Sequence, residues 1–295
     1  MKLPEKDIEL FYKLHPALLF YANQQLKVVS EVSTVKEFMG LPLEEKIKIR
    51  DALYAQIDLV DFFVKENPFD FSAEELKIVL SWKNLVRGTF YLFRYLKKYA
   101  IFLDTDSPPK AYGVLSLKDG FDEILGPYLP IMLETVLLPF KEQITYDGLM
   151  SSYRVTFGAG IRRDLNDAYQ EAKSRFGIIT SLPFSTEGME QNDADRLRFY
   201  LRSERNREMY WEEMEELIDK DPSLLVLYHQ EMGKTHARRY GKQLHEIGVT
   251  DAWFAIFETI IIASGKKRDE VERILQEILP IEKRKFVYIF QLKRK

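Results

Sequence analysis

The spacing of apolar positions changes character twice along this chain, and the changes divide it into helical, extended and again helical stretches. Over residues 5–27, Ile8, Phe11, Tyr12, His15, Leu18, Leu19 and Ala22 fall near one helix face. Pro16 stands inside that stretch, and its missing N–H predicts a kink or break. Over 43–64, Ile47, Leu53, Ile57, Val60 and Phe63 form a second stripe; Leu76, Val79, Leu80, Lys83 and Val86 form a third. Thr34 with Glu37, and Ser72 with Glu75, have the capping-box spacing that opens a helix.

From residue 89 the period falls to two. Six segments read as strands: 89–96, 99–104, 111–117, 131–138, 143–146 and 149–157. In the last, Leu149, Tyr153, Val155 and Phe157 share one parity, while Ser152, Arg154 and Thr156 share the other. Asp147-Gly148 predicts a hairpin between the last two strands, because both residues of such a turn need positive φ. Ser107-Pro108-Pro109 predicts a turn, and Pro139 predicts the end of the fourth strand. The connection 118–130 has room for a helical turn near 121–125. Connections this short favour antiparallel neighbours.

After Phe157 the sequence Gly158-Ala159-Gly160-Ile161-Arg162-Arg163 returns the chain to helical spacing, carried by Leu165, Ala168, Tyr169, Ala172 and Phe176 and closed by Gly177. Residues 178–192 are irregular and predict a linker. Residues 194–217 predict one long charged helix, polar all round over 202–208. A helix after Asp221-Pro222 is expected to reach Gly233 or Leu244. The apolar run 252–263, followed by Gly265, predicts a helix buried on every side; 271–279 predicts another; 286–292 is β-like and could extend a sheet edge, that of the central sheet included.

The expected fold is therefore α+β: an N-terminal helical region (1–88), a central mostly antiparallel β-meander with a helix (89–177) that forms an open sheet or a small barrel, a linker (178–192), and a C-terminal helical bundle (193–295) with a terminal basic strand.

Composition narrows the chemistry. The chain of 295 residues is 46% hydrophobic and 30% charged, enough to build a core and too apolar for global disorder. It has no cysteine, which removes thiolate nucleophiles, disulfides and cysteine-based metal or iron–sulfur sites and suits a reducing cytoplasm. No secretory signal is expected from Met1-Lys2-Leu3-Pro4-Glu5, and no apolar run is long enough for a bilayer. The net charge of -3 gives the whole molecule no pull toward nucleic acid, although residues 283–295 carry six basic residues and no acid.

No motif fixes a reaction, and no cofactor is expected. The leading candidate is the corner at Gly158, Gly160, Arg162 and Arg163, where a helix N-terminus and two guanidinium groups suit an anion. It matches neither the dinucleotide fingerprint nor the P-loop. The plain alternative is a tight turn whose arginines pair with Asp164, Asp167 or solvent. A second candidate places Arg94, Lys97 and Lys98 among Phe90, Tyr91, Phe93, Tyr95 and Tyr99, a basic-aromatic mixture that can stack single-stranded bases. Its alternative is a sheet with aromatic residues inward and charges outward. Glu134 and Glu258, each in an apolar run, are general-acid candidates or simply paired or solvated. His229, His236 and His245 lack a metal motif, so no metal is expected. Three functions follow. The first is a non-enzymatic binding or regulatory protein for an anionic partner, nucleic acid or phosphate, at the 158–163 corner. The second is an enzyme acting there on a phosphorylated small molecule with Asp147 or Asp164 as its acid. The third is an interaction module that uses the helix 194–217 to meet a protein or a second copy. The catalytic residues are left open.

Overall fold

The computed structural model describes residues 1–153, 155–185 and 193–293. Arg154, residues 186–192 of the expected linker, and Arg294 and Lys295 of the basic tail lie outside the described residues. The protein mixes helix and strand and divides into two units, Met1–Glu190 and Gln191–Lys295.

The first unit begins with α1 (Glu5–Leu26), which continues through Pro16. The proline removes one backbone hydrogen bond. Burial of Phe11, Leu14, Leu18 and Ala22 beside Pro16 holds the helix across the gap. α2 (Val35–Gly40) is capped by Thr34, whose side chain accepts from the Glu37 N–H. The 43–64 stripe is two helices, α3 (Leu43–Ala55) and α4 (Leu59–Glu66). α5 (Ala73–Ser81) opens with the complete Ser72/Glu75 capping box.

Five strands follow: β1 (Val86–Tyr95), β2 (Ala100–Asp104), β3 (Ala111–Leu115), β4 (Ile131–Phe140) and β5 (Gln143–Tyr153). They close into a barrel in the order β1-β2-β3-β5-β4, because β1 pairs with both β2 and β4. Every pairing is antiparallel except that of β3 with β5. Phe90, Phe102, Tyr112, Leu133, Leu137 and Tyr146 share the core. α6 (Phe121–Leu125), in the 118–130 connection, adds Phe121, whose ring lies 5.1 Å from Phe102 and 5.2 Å from Tyr146.

Asp147-Gly148 is not a hairpin. Leu137 pairs with Tyr146 and Thr135 with Met150, so Val136 alone faces residues 147–149 and the stretch 143–153 is one bulged strand. Of the two residues expected at positive φ only Gly148 has it, at +82; the Asp147 side chain instead accepts from the Leu149 N–H at 3.0 Å. β4 supplies partners on both sides, so the turn becomes a bulge. The hairpin itself is at Lys141-Glu142, between Phe140 and its partner Gln143. Pro139 does not end β4; it lies beyond the last residue that pairs with β1, where one edge of β4 has no ladder to satisfy. β5 ends at Tyr153, and residues 155–157 are not strand.

α7 (Ala159–Phe176) lies on the outer face of the barrel, with Leu165, Tyr169 and Ala172 against Ile101, Leu103 and Ala111. Val136, Leu138 and Phe140 join the core beneath the N-terminal helices, where the Phe11 and Phe140 rings are 6.0 Å apart.

In the second unit the helix expected over 194–217 is broken into α8 (Asp193–Leu201), α9 (Glu204–Met209) and α10 (Trp211–Lys220). Ser203 caps α9 by accepting from the Asn206 N–H, and the Tyr200 and Tyr210 rings stack at 4.5 Å. The break lets Leu197, Tyr200, Met214 and Leu217 turn into one core, which a single rod could not do. α11 (Leu224–Glu246) is unbroken.

The run 252–263 is not a helix but a hairpin, β6 (Ala252–Phe257) and β7 (Ile260–Gly265), turning at Glu258-Thr259 with Glu258 at φ 54. An apolar run on all sides fits a buried strand as well as a buried helix; here β-branched and aromatic residues accompany the strand. α12 (Arg268–Ile278), α13 (Ile281–Arg284) and β8 (Tyr288–Leu292) follow. The sheet order is β7-β6-β8, so the C-terminal strand completes this unit's own sheet.

Candidate functional site

Two buried titratable groups of the first unit, His15 and Asp147, meet at one cavity under α1. A cavity of about 140 Å³ is walled by Phe11, Tyr12, Pro16, Leu19, Phe38, Met39 and Leu149, and His15, Lys46, Asp147 and Gly148 complete its lining. Each wall has a local origin. Helical spacing brings Tyr12, His15, Pro16 and Leu19 to one face of α1. Pro16 also leaves the Tyr12 carbonyl without the N–H that would bond it in a regular helix. α2 supplies Phe38 and Met39, and α3 supplies Lys46 at the rim, where its Nζ donates to the Met39 carbonyl at 2.5 Å. The β5 bulge supplies Asp147, Gly148 and Leu149.

Behind the cavity lies a polar network that runs from the buried Arg50 and Asp147 out to partly exposed side chains. Arg50 Nη1 donates to Asp147 Oδ2 at 3.4 Å and to the Leu149 carbonyl at 3.4 Å. Arg50 Nε donates to Asp51 Oδ1 at 2.9 Å. Arg87 extends the network, 3.2 Å from Asp51 and 3.9 Å from Glu134. Thr135 Oγ1 donates to the Leu149 carbonyl at 2.8 Å, fixing the bulge from its other side.

Burial raises the Asp147 carboxyl from 3.8 to about 7, and the Arg50 charge and the Leu149 N–H only partly offset it. Burial opposes the Arg50 charge too, but Asp147 and Asp51 outweigh it and Arg50 is raised. Arg50 does lower the Asp147 carboxyl, but burial outweighs it, and Arg50 sits closer to Asp51, at 2.9 Å, than to Asp147, at 3.4 Å. Burial lowers His15 to about 3, helped by the Arg50 charge, so its imidazole is neutral at physiological pH. His15 stacks on Phe11 at 5.0 Å, meets Trp82 edge-on at 5.3 Å and has Tyr54 Oη 3.4 Å from Nε2. A neutral imidazole and a carboxyl titrating near neutrality thus share one small apolar cavity, able to donate, accept or pass a proton.

The sites read from the sequence lie elsewhere. Gly158 is the N-cap of α7, and Gly158, Gly160, Arg162 and Arg163 are exposed. Arg162 Nε donates back to the Phe157 carbonyl at 3.1 Å. Nothing crowds a Cβ at Gly158 or Gly160. None of residues 158–163 lines the cavity of Asp147. Arg94 donates to Asn166 Oδ1 at 3.0 Å and lies over the Phe93 and Tyr169 rings, which ties α7 to the barrel. Lys97 and Lys98 are exposed in the β1–β2 turn. Tyr91, Phe93 and Tyr99 pack with α7, whereas Phe90 belongs to the barrel core. Glu134 is partly exposed, with Tyr153 Oη 3.5 Å away, and Glu258 is exposed in its turn. Among the described residues no group of three or more His, Asp or Glu could hold a metal ion, and no helix is long and apolar enough to cross a membrane.

The cavity joins residues 11–19, 38–46 and 147–149, whose convergence no sequence spacing announces. Two local signals did mark it: a His-Pro pair inside an otherwise regular helix, and Asp-Gly inside a strand pattern. No protein-family model, curated protein or solved structure matches this chain.

Proposed function

We propose that the first unit is a binding protein for a small, largely apolar molecule with one hydrogen-bonding head, held between α1, α2, α3 and the β5 bulge. The observation that carries this reading is the convergence of two buried polar groups, His15 and Asp147, on one cavity with otherwise mostly apolar walls. The volume resembles that of an apolar cavity that takes up benzene. The Asp147 side chain, itself fully buried, becomes charged only as pH rises past about 7, and Lys46 at the rim favours a negative charge nearby.

The barrel's strand order, with β3 parallel to β5 and a helix between β3 and β4, resembles that of the OB type, whose members bind oligonucleotides and oligosaccharides over strands 2 and 3. Fold analogy does not carry function, and here α7 occupies that face.

The test is thermal unfolding with benzene-sized acids, amides and alcohols at pH 6 and pH 8. A ligand at a hundred times its Kd stabilises by about 2.7 kcal/mol. The expected outcome is stabilisation that weakens at the higher pH and disappears in Met39→Trp, which fills the mouth from an exposed position. No stabilisation by any compound, or stabilisation that survives Met39→Trp, refutes it.

A second reading keeps an anionic partner, a phosphate group or nucleic acid, at the start of α7. It is supported by an N-terminus with no capping side chain and no acid in its first turn, followed by two exposed arginines. Inorganic phosphate should then stabilise the wild type and not the Arg162→Ala/Arg163→Ala variant; equal response of both counts against it.

A further inference from the structure

We propose that the groove between α11 and β8 in the second unit binds single-stranded nucleic acid, at a site separate from the cavity under α1 and from the start of α7. The groove has a volume of about 490 Å³. α11 lines one wall with Lys234, Arg238 and Lys242 at four-residue intervals and His245 a turn further on. Four residues advance a helix by about 6 Å, comparable to the spacing of consecutive phosphates on an extended strand. Lys234 pairs with Glu231 at 2.6 Å, so Arg238 and Lys242 carry the larger share of the attraction. Among the described residues no Asp or Glu lines the groove.

The opposite wall carries Tyr288 and Phe290, alternate residues of β8 and so about 7 Å apart on one face. Both are partly exposed, and Phe290 is backed by Phe254 with ring centroids 5.5 Å apart. Rings at this spacing facing a row of cations are what sequence-tolerant single-strand binding uses: bases stack and phosphates meet the charges. The close approach of the walls depends on glycine. A Cβ at Gly233 would stand 2.2 Å from Tyr288 Cβ, and one at Gly241 would touch Leu292 Cδ1 at 3.5 Å.

The test is fluorescence anisotropy of the full chain with labelled oligothymidylate and oligouridylate of about 16 nucleotides. Wild type should bind at low salt. Arg238→Ala/Lys242→Ala, both at partly or fully exposed positions, should bind about tenfold or more weakly, with a salt slope smaller by about 1.4, as expected for two lost phosphate contacts on a single strand. Phe290→Leu should weaken binding and leave the salt slope unchanged, because it removes stacking and no charge. The proposal is overturned by absence of binding at roughly 50 mM salt, by equal binding of the double variant, by loss of binding in Arg162→Ala/Arg163→Ala instead, or by equal competition from polyglutamate, which would mark the groove as a site for acidic peptides.

Discussion

Replacing Asp147 by asparagine isolates the buried carboxyl. The Asp147→Asn side chain would keep an oxygen for the Leu149 N–H, so the bulge retains its local bond, but it cannot ionise. In the wild type the folded value is about 7 against 3.8 as the ordinary value. Between these limits the native state holds a proton that the unfolded chain has released. Native stability therefore falls as pH rises, by about 1.4 kcal/mol per pH unit and on the order of 4 kcal/mol across the window. That contribution is fully present below pH 3.8 and lost as pH passes about 7. The assay is urea unfolding of both proteins from pH 4 to pH 8, with the difference plotted against pH. The variant should gain on the wild type steadily up to about pH 7 and level off beyond it. A difference independent of pH would mean that the carboxylate is ionised throughout and that Arg50 governs it after all.

His15 has the opposite slope: its folded value of about 3 lies below the ordinary 6.5, so its contribution is present above pH 6.5 and lost as pH falls toward 3. The two groups cancel over most of their shared window, and His15→Phe should therefore expose a falling stability from pH 4 to 6.5 that the wild type hides, read by the same urea series. Phe121→Ala removes a fully buried ring from between Phe102 and Tyr146 and should cost about 3–5 kcal/mol by chemical unfolding; a loss under about 1 kcal/mol would mean that the ring does not plug the barrel. Gly233→Ala should destabilise the second unit by about 3 kcal/mol or more, and Tyr288→Gly should rescue it while Tyr288→Ala should not, because the clash is with the Tyr288 Cβ itself.

Much of the secondary structure is written locally. Helix starts at Thr34 and Ser72, the strand periodicity of 89–146, the short helix in the 118–130 connection and the return to helix after Gly158 all follow from spacing and cap chemistry that act over a few residues. The positive φ at Gly148 was equally legible, since an Asp side chain bonding two residues ahead and a glycine need no distant partner. What the chain does with that geometry was not. Whether Asp-Gly turns a hairpin or bulges a strand depends on what β4 offers beside it. Whether 252–263 is helix or hairpin depends on whether β8, far along the chain, is there to pair.

The same division holds for the sites. The arginines after Gly160 and the lysines of the β1–β2 turn were visible because their neighbours in sequence are their neighbours in space. His15, Lys46 and Asp147 become one cavity only when α1, α3 and the bulge are packed together, and burial then moves Asp147 and His15 far from their ordinary titration. The cations at 234, 238 and 242 stand at a helical interval that was readable all along, yet the aromatic wall facing them comes from a strand at the far end of the unit's sequence. Local spacing determines which faces a segment can present. Only long-range packing decides which faces meet, and the electrostatics of a buried group belong to that meeting.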